Sequence, residues 1–545
     1  MEKVQGVAAL LLAACASYAV ASDGASGIRA DAIHGHIAFL ADDALEGRGT
    51  ATRGHELAAA YVSSQFASYG LQPAGDHGSW YQTVPLLESS AVISGASARL
   101  ERDGSLTELT VKEDFLPRAS YWESDVMLFG PMTFVGFGVH APELSYDDFA
   151  GVNLTGRIAV ILAGAPAALP VDERAYYASV AVKGAELTAR GAIGVITIGP
   201  PAEDQTSTWE RRVLMSWLPA MRATGEDGRP LQAFAQLRGG LLLSPAGAAK
   251  VFSGAAHTLD EVYANAEQSK VQSFDLPGNI HFTTKSVLAR RSSMNVVALL
   301  EGSDPKLKSE YVVLSAHLDH LGVGAAVEGD SIYNGALDNA SGIAMMLEAA
   351  RVLKFRADKL RRSVLFVAFT AEEKGLLGSE YFVRQPTVPR SAIVADINID
   401  MPIALTTFAD LVAFGADHST LGHIALAAAQ RENLRLAPDP EPDQVRFVRS
   451  DQFAFVRNGI PAIQIDTGSH AAQKDINGEE VVEKFRRSRY HMPGDDRDQP
   501  IDYAFLATLA RVNLHVVYDV ANARERQQWN SGDFFAEKAK FAAGD

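Results

Sequence analysis

Cysteine is nearly absent: Cys15 is the only one in 545 residues. A single cysteine excludes an intramolecular disulfide, and it leaves no thiolate elsewhere for a metal centre or a nucleophile. Basic residues are also in short supply. Lys and Arg number 49 against 66 Asp and Glu, a net charge of −17. That balance argues against nucleic acid as a partner, because phosphate binding needs clustered cations. Long apolar runs are missing as well. Beyond the first 21 residues, no segment approaches the roughly 18 apolar residues of a membrane helix.

The rest of the composition is that of a globular protein, 47% hydrophobic and 21% charged. At roughly 100–200 residues per domain, the length predicts two or three domains. Residues 1–21 read as a secretory signal: Lys3, an apolar run from Val7 to Ala14, then small residues before Ser22. A second reading takes Leu12-Ala13-Ala14-Cys15 as a lipobox, with residues 1–14 as the signal and Cys15 as a lipid anchor. Both readings export the protein, as a periplasmic or secreted form or as an outer-membrane lipoprotein.

Residues 28–125 open with two amphipathic stretches. Ile33, Ile37 and Leu40 share one helical face, and Leu57, Tyr61, Phe66 and Leu71 predict a second helix stopped by Gly70. Alternation around Asp103-Gly104 predicts a β-hairpin. Residues 126–270 change texture, to strand-like runs and a helix–Gly–strand unit with few His or paired acids. Residues 275–525 hold the motifs that carry chemistry and end in a packing helix with Phe505, Leu509, Val512, Leu514 and Val517 on its face. Residues 526–545 read as a polar, peripheral tail.

The chain is organised around residues 317–400. Short apolar runs there each deliver a His, Asp or Glu where polar and Gly residues take over, as strands do at the carboxyl edge of an open α/β sheet. In "SAHLDH", His317 and Asp319 are two apart, a same-face pair if the strand continues, so Asp319 can hold the second ring nitrogen of His317. In "ALDNASG", Asp338 is either a helix N-cap or a carboxylate free to bridge two ions; the two roles exclude one another. In "AFTAEEKG", Glu372 and Glu373 are adjacent like charges. They are either solvated at a helix start or split between holding an ion and accepting a proton from water. Asp400 closes the run "INIDMP", and His491 follows Tyr490 in "RYHMPGDD". Histidine and carboxylate without cysteine favour zinc, manganese or cobalt.

The runs "HLDHLG", "NGALDNASG", "AEEKGLLGS", "NIDM", "SDQFAFVRNGIPA" and "YHMPGDD" together resemble the co-catalytic zinc peptidases of metallopeptidase family twenty-eight. That family takes in bacterial aminopeptidases, carboxypeptidase Q and glutamate carboxypeptidase II. The resemblance implies a three-layer αβα sandwich on a mixed sheet, built from residues 28–125 and 275–525. The insert at 126–270 resembles a protease-associated domain, β-rich with helices. Two zinc ions per chain are implied, His317 and Asp400 on one, Glu373 and His491 on the other, with Asp338 bridging. Glu372 is then the general base, Asp319 orients His317, and Tyr490 assists the oxyanion. A cis peptide is implied at Asp338–Asn339. The implied activity is peptide-bond hydrolysis with a metal-bridged water, read as an aminopeptidase; the alternatives are a carboxypeptidase or dipeptidase, or a non-enzymatic receptor-like binder on the same fold.

Overall fold

The apolar runs that introduce the acidic motifs fold as parallel strands. The computed structural model describes residues 27–199, 208–356 and 358–542; the signal and Cys15 lie outside the described residues. Ser363–Phe369, Tyr311–His317, Ile393–Asn398 and Ala462–Thr467 lie side by side in that order, all parallel. Val312, Leu314 and Ala316 face one layer and Val313 the other. Burial on both faces is why these strands read as continuous apolar runs and not as alternating ones. Asp410–Phe414 adds antiparallel on one side. On the other side come Phe274–Leu300, Tyr81–Ala91 and Ala220–Ala223, so the sheet is mixed. With the four central strands pointing the same way, His317 and the segments following Phe369, Asn398 and Thr467 emerge at one edge.

Helices Ala30–Leu40, Arg53–Ser68, Ser341–Phe355, Leu421–Arg431 and Tyr503–Asn522 cover one face of this sheet. Leu377–Arg384, Gln452–Arg457 and Phe534–Ala542 cover the other, which gives the expected αβα layers. The face read for Tyr503–Asn522 is buried throughout, each Leu or Val contributing roughly 1.5–3 kcal/mol. The second helix packs differently from its sequence reading. Leu57 is 39% exposed, and the buried face is Ala58, Ala59, Val62 and Phe66. Small residues permit close approach there, and large-residue periodicity does not register them. The stop at Gly70 is as expected: its φ is +78°, and Leu71 N–H reaches the Phe66 carbonyl at 3.1 Å.

A second sheet has its own core, including Leu100, Phe134, Val160, Ile196, Leu241 and Phe282. Asp125–Phe134, Ile158–Leu162, Gly194–Ile198 and Gly239–Leu243 run parallel in it. The hairpin Ser97–Arg102/Ser105–Leu109 turns at Asp103-Gly104 and joins this sheet along Asn279–Thr283. Phe115–Arg118 joins it along Gly240–Leu243. Residues 97–118 thus pair outside the first sheet, although their sequence position groups them with residues 28–125; alternation marks a hairpin but not the sheet it enters. The strand Phe274–Leu300 belongs to both sheets. Residues up to Lys285 pair with Asp125–Phe134, and Ser286 to Val296 pair with Tyr81–Ala91.

The tail is less peripheral than its composition implies. Phe535 is 2% exposed and packs against Phe447 and Phe453. Among the described residues no helix is long and apolar enough to cross a membrane.

Candidate metal centre

His317 closes its strand with Nε2 directed at two carboxylates, Asp400 Oδ1 at 3.0 Å and Asp338 Oδ1 at 3.2 Å. The second oxygen of Asp338 lies 3.2 Å from His491 Nε2, which is also 3.2 Å from Glu373 Oε2. The five side chains singled out as candidate ligands therefore converge from five separate segments, with Asp338 between the two pairs. Asp338 takes no part in capping. The following helix starts at Ser341, and it is Asn339 Oδ1 that accepts the Gly342 N–H, at 3.0 Å. The Asp338–Asn339 peptide is cis. Gly335 begins this turn at φ +63°, where a Cβ would lie 2.5 Å from the His320 ring; only glycine fits.

Glu372 and Glu373 diverge as the two-role reading requires. Ala371 before them has φ +56°, a left-handed turn that a non-glycine residue adopts at some cost. Glu373 joins the ligand cluster, while Glu372 lines a cavity of about 300 Å³ together with His317, Asp338, Asp400, Tyr490 and His491. The Tyr490 ring stacks on the His491 ring, centroids 3.8 Å apart.

Asp319 has another task than the one its spacing suggests. The strand ends at His317, so the same-face rule no longer holds two residues on. His317 Nδ1 lies 3.0 Å from the backbone carbonyl of Asp319, and that contact fixes the ring. The Asp319 carboxylate instead accepts the Glu372 backbone N–H at 3.1 Å and the Thr50 hydroxyl at 2.6 Å. The sequence reading also passed over His320, whose Nδ1 is 2.7 Å from Glu373 Oε1. Its one signal was its place in "HLDH". Asp495, in "PGDD", went unread too; it accepts the backbone N–H groups of Leu337 and Asp338, each at 3.0 Å.

The electrostatics are those of crowded acids meeting imidazoles. Burial works against charge on Asp338, but hydrogen bonds with His317 and His491 prevail and hold it well below the usual carboxylate range. Burial likewise opposes charge on His491, yet Glu373 and Asp338 raise it to about 9. Burial, with Asp400 and Glu373 alongside, pushes Glu372 well above its ordinary value despite His317. Behind the site, burial lifts Asp451 to about 7.

The residues fit a divalent cation. His320 Nδ1 and Nε2 and Glu373 Oε1 are buried and make no hydrogen bond among the described residues, the His320–Glu373 approach being close but poorly aligned. Buried polar atoms without partners are costly unless something else satisfies them. Donor atoms of His317, Asp338 and Asp400 lie within 4.8 Å of one another, as do those of His320, Asp338 and Glu373. Nitrogen and oxygen donors in this mixture suit zinc and its neighbours.

Residues 295–517 match the sequence profile of peptidase family M28. An Aspergillus fumigatus protein named "Probable leucine aminopeptidase 2" is 31% identical over 254 residues, 44% of this chain and 46% of that protein. Its Aspergillus oryzae namesake is 31% identical over 228 residues, 40% of this chain and 42% of the relative. The matches thus span under half the length of these curated relatives. Among solved structures, an aminopeptidase from Aneurinibacillus sp. strain AM-1 has the same fold, at a TM-score of 0.56 and 20% identity, with 92% of this chain and 96% of that one covered. All five converging side chains and Glu372 thus lie within the segment that matches peptidase family M28.

Proposed function

We propose that this chain is an exported zinc-dependent exopeptidase that trims residues from the amino end of peptides. The observation that carries the reading is Asp338, whose two oxygens each lie 3.2 Å from a different histidine, His317 and His491. His317 and Asp400 would hold one zinc, Glu373 and His491 a second, and Asp338 both. Bound there, zinc supplies Lewis acidity toward a carbonyl and a water. Glu372, on the wall of the same cavity, takes a proton from the attacking water and returns it to the leaving amine. Asp319 steadies that carboxylate through the Glu372 backbone N–H. Tyr490 borders the cavity and supports the oxygen on which charge develops.

The test is a zinc count per chain with digestion of a peptide library read by mass spectrometry. Two zinc ions and progressive loss of amino-terminal residues are expected. No zinc after native purification, with no cleavage, points instead to a binding protein. A carboxypeptidase or dipeptidase reading has one observation in its favour. Arg449 lines the cavity and makes no ion pair or side-chain hydrogen bond among the described residues, so it is free to take a carboxylate. Trimming from the carboxyl end would select that reading.

The second sheet corresponds in this proposal to a protease-associated domain that narrows the entrance and so selects short or unblocked peptides. Arg211 donates to the backbone carbonyls of Tyr490 and Arg487. Trp217 lies 5.5 Å from the Tyr333 ring. Trp217→Ala should speed cleavage of long peptides relative to short ones; an unchanged ratio rejects this role. Export is proposed from residues 1–21, with lipidation at Cys15 tested by palmitate labelling of the Cys15→Ser variant.

A further inference from the structure

The sequence Glu46-Gly47-Arg48-Gly49-Thr50 lies beneath the ligands in a backbone dominated by left-handed residues. Glu46, Gly47, Arg48 and Ala51 have φ of 50°, 63°, 49° and 59°. Gly47 is irreplaceable there, since a Cβ would fall 2.3 Å from the Tyr333 carbonyl oxygen. Non-glycine residues in this region cost of order 1–3 kcal/mol each, so the surrounding contacts must hold the loop in shape.

Those contacts are made by Arg48, which is 1% exposed. Its Nε donates to the Leu318 carbonyl at 2.9 Å, and its Nη1 to Leu40 at 2.5 Å and Asn334 at 2.6 Å. Its Nη2 donates to Gly335 at 2.9 Å. Leu318 lies between His317 and Asp319, and Asn334-Gly335 leads into Asp338. One guanidinium thus ties together the two loops that bring His317 and Asp338 to the centre. Its backbone carbonyl also accepts the His320 N–H at 3.2 Å. Two residues on, the Thr50 hydroxyl donates to Asp319 Oδ2 at 2.6 Å, and Asp319 holds the Glu372 backbone through its other oxygen. A planar fork with five N–H groups can span several carbonyls in fixed directions, which an ammonium cannot.

We infer that Arg48, with Thr50 beside it, is a positioning residue of this centre, fixing the His317 and Asp338 loops and, through Asp319, the general base. The inference rests on the zinc-peptidase reading above. It is tested with Arg48→Lys and Thr50→Val in the full chain. Arg362→Lys is the control, because Arg362 is equally buried, at 1%, and binds Glu310 and the Val520 and Ala523 carbonyls at the opposite edge of the sheet. Three quantities are measured: kcat and KM on one peptide, the rate of zinc loss to a chelator, and the thermal midpoint without metal.

Arg48→Lys and Thr50→Val should each lower kcat about tenfold or more and speed zinc loss by a similar factor, with KM within about twofold. Arg362→Lys should lower the thermal midpoint yet leave kcat and zinc loss unchanged. The inference is overturned if Arg48→Lys and Thr50→Val keep kcat and zinc retention near wild type, or if Arg362→Lys impairs both as much. Should Arg48→Lys not fold, Thr50→Val alone decides between these outcomes. A wild-type chain with neither zinc nor activity would bring down the peptidase reading itself.

Discussion

The backbone N–H of Asp338 points at the carboxylate of Asp495, 3.0 Å from Oδ2, while the N–H of Leu337 meets Oδ1 at the same distance. The loop carrying the shared carboxylate is thereby pinned to the segment just after His491. Asp495→Asn would turn an N–H donor toward one of these amides and leave it without an acceptor, a cost of about 1–3 kcal/mol. We expect a lower thermal midpoint and weaker zinc retention by about tenfold, read by calorimetry and chelator competition.

Glu372→Ala separates holding the ions from moving the proton. The five converging donors are untouched by it, so zinc content should stay at the wild-type value. Turnover should fall by about 10²–10⁴-fold, the usual worth of a positioned base. Elemental analysis beside a rate assay reads both, and joint loss of metal and rate would assign Glu372 to the ligands instead.

Removing metal should cost stability as well as activity. Without a cation, the acids gathered around His317, His320 and His491 repel one another, and a ligand that binds only the folded chain stabilises it by about 4 kcal/mol at a thousand times its Kd. Dialysis against a chelator should lower the thermal midpoint, and added zinc should restore it.

A pH effect is expected far from the centre. His418 lies with Nδ1 2.7 Å from Asp533 Oδ2 and Nε2 3.6 Å from Asp172 Oδ1. Burial opposes its charge, but Asp533 and Asp172 outweigh it and raise its pKa above the ordinary histidine value. A pKa raised by folding adds stability that is full below the unfolded value, near 6.5, and is lost as pH climbs through the folded value. Asp533→Asn should therefore destabilise by about 1–3 kcal/mol in mildly acidic buffer. The difference from wild type should shrink in alkaline buffer, as followed by urea unfolding across pH.

The centre was legible in the sequence to the extent that its residues end strands. His317, Asp400 and Glu373 each follow an apolar run that sheet burial dictates, and the resemblance supplied Asp338 and His491. Residues whose partners are remote along the chain were not legible. Arg48 reaches Leu318 across 270 positions and shows no local periodicity, so nothing in the sequence singles it out. Asp319 was found but given the wrong contact, because spacing two apart constrains direction only while a strand continues. The open α/β sheet was legible in its apolar runs and its three αβα layers were implied by the resemblance, whereas the sheet joined by residues 97–118 depends on long-range pairing that no local pattern encodes.

The strand Phe274–Leu300, laddered into both sheets, acts as a shared beam. A joint made of continuous hydrogen-bonded ribbon resists bending, so the second sheet is braced against the first like an outrigger. The spacing between the two sheets is thereby set by the ladder itself and not by a loop between them.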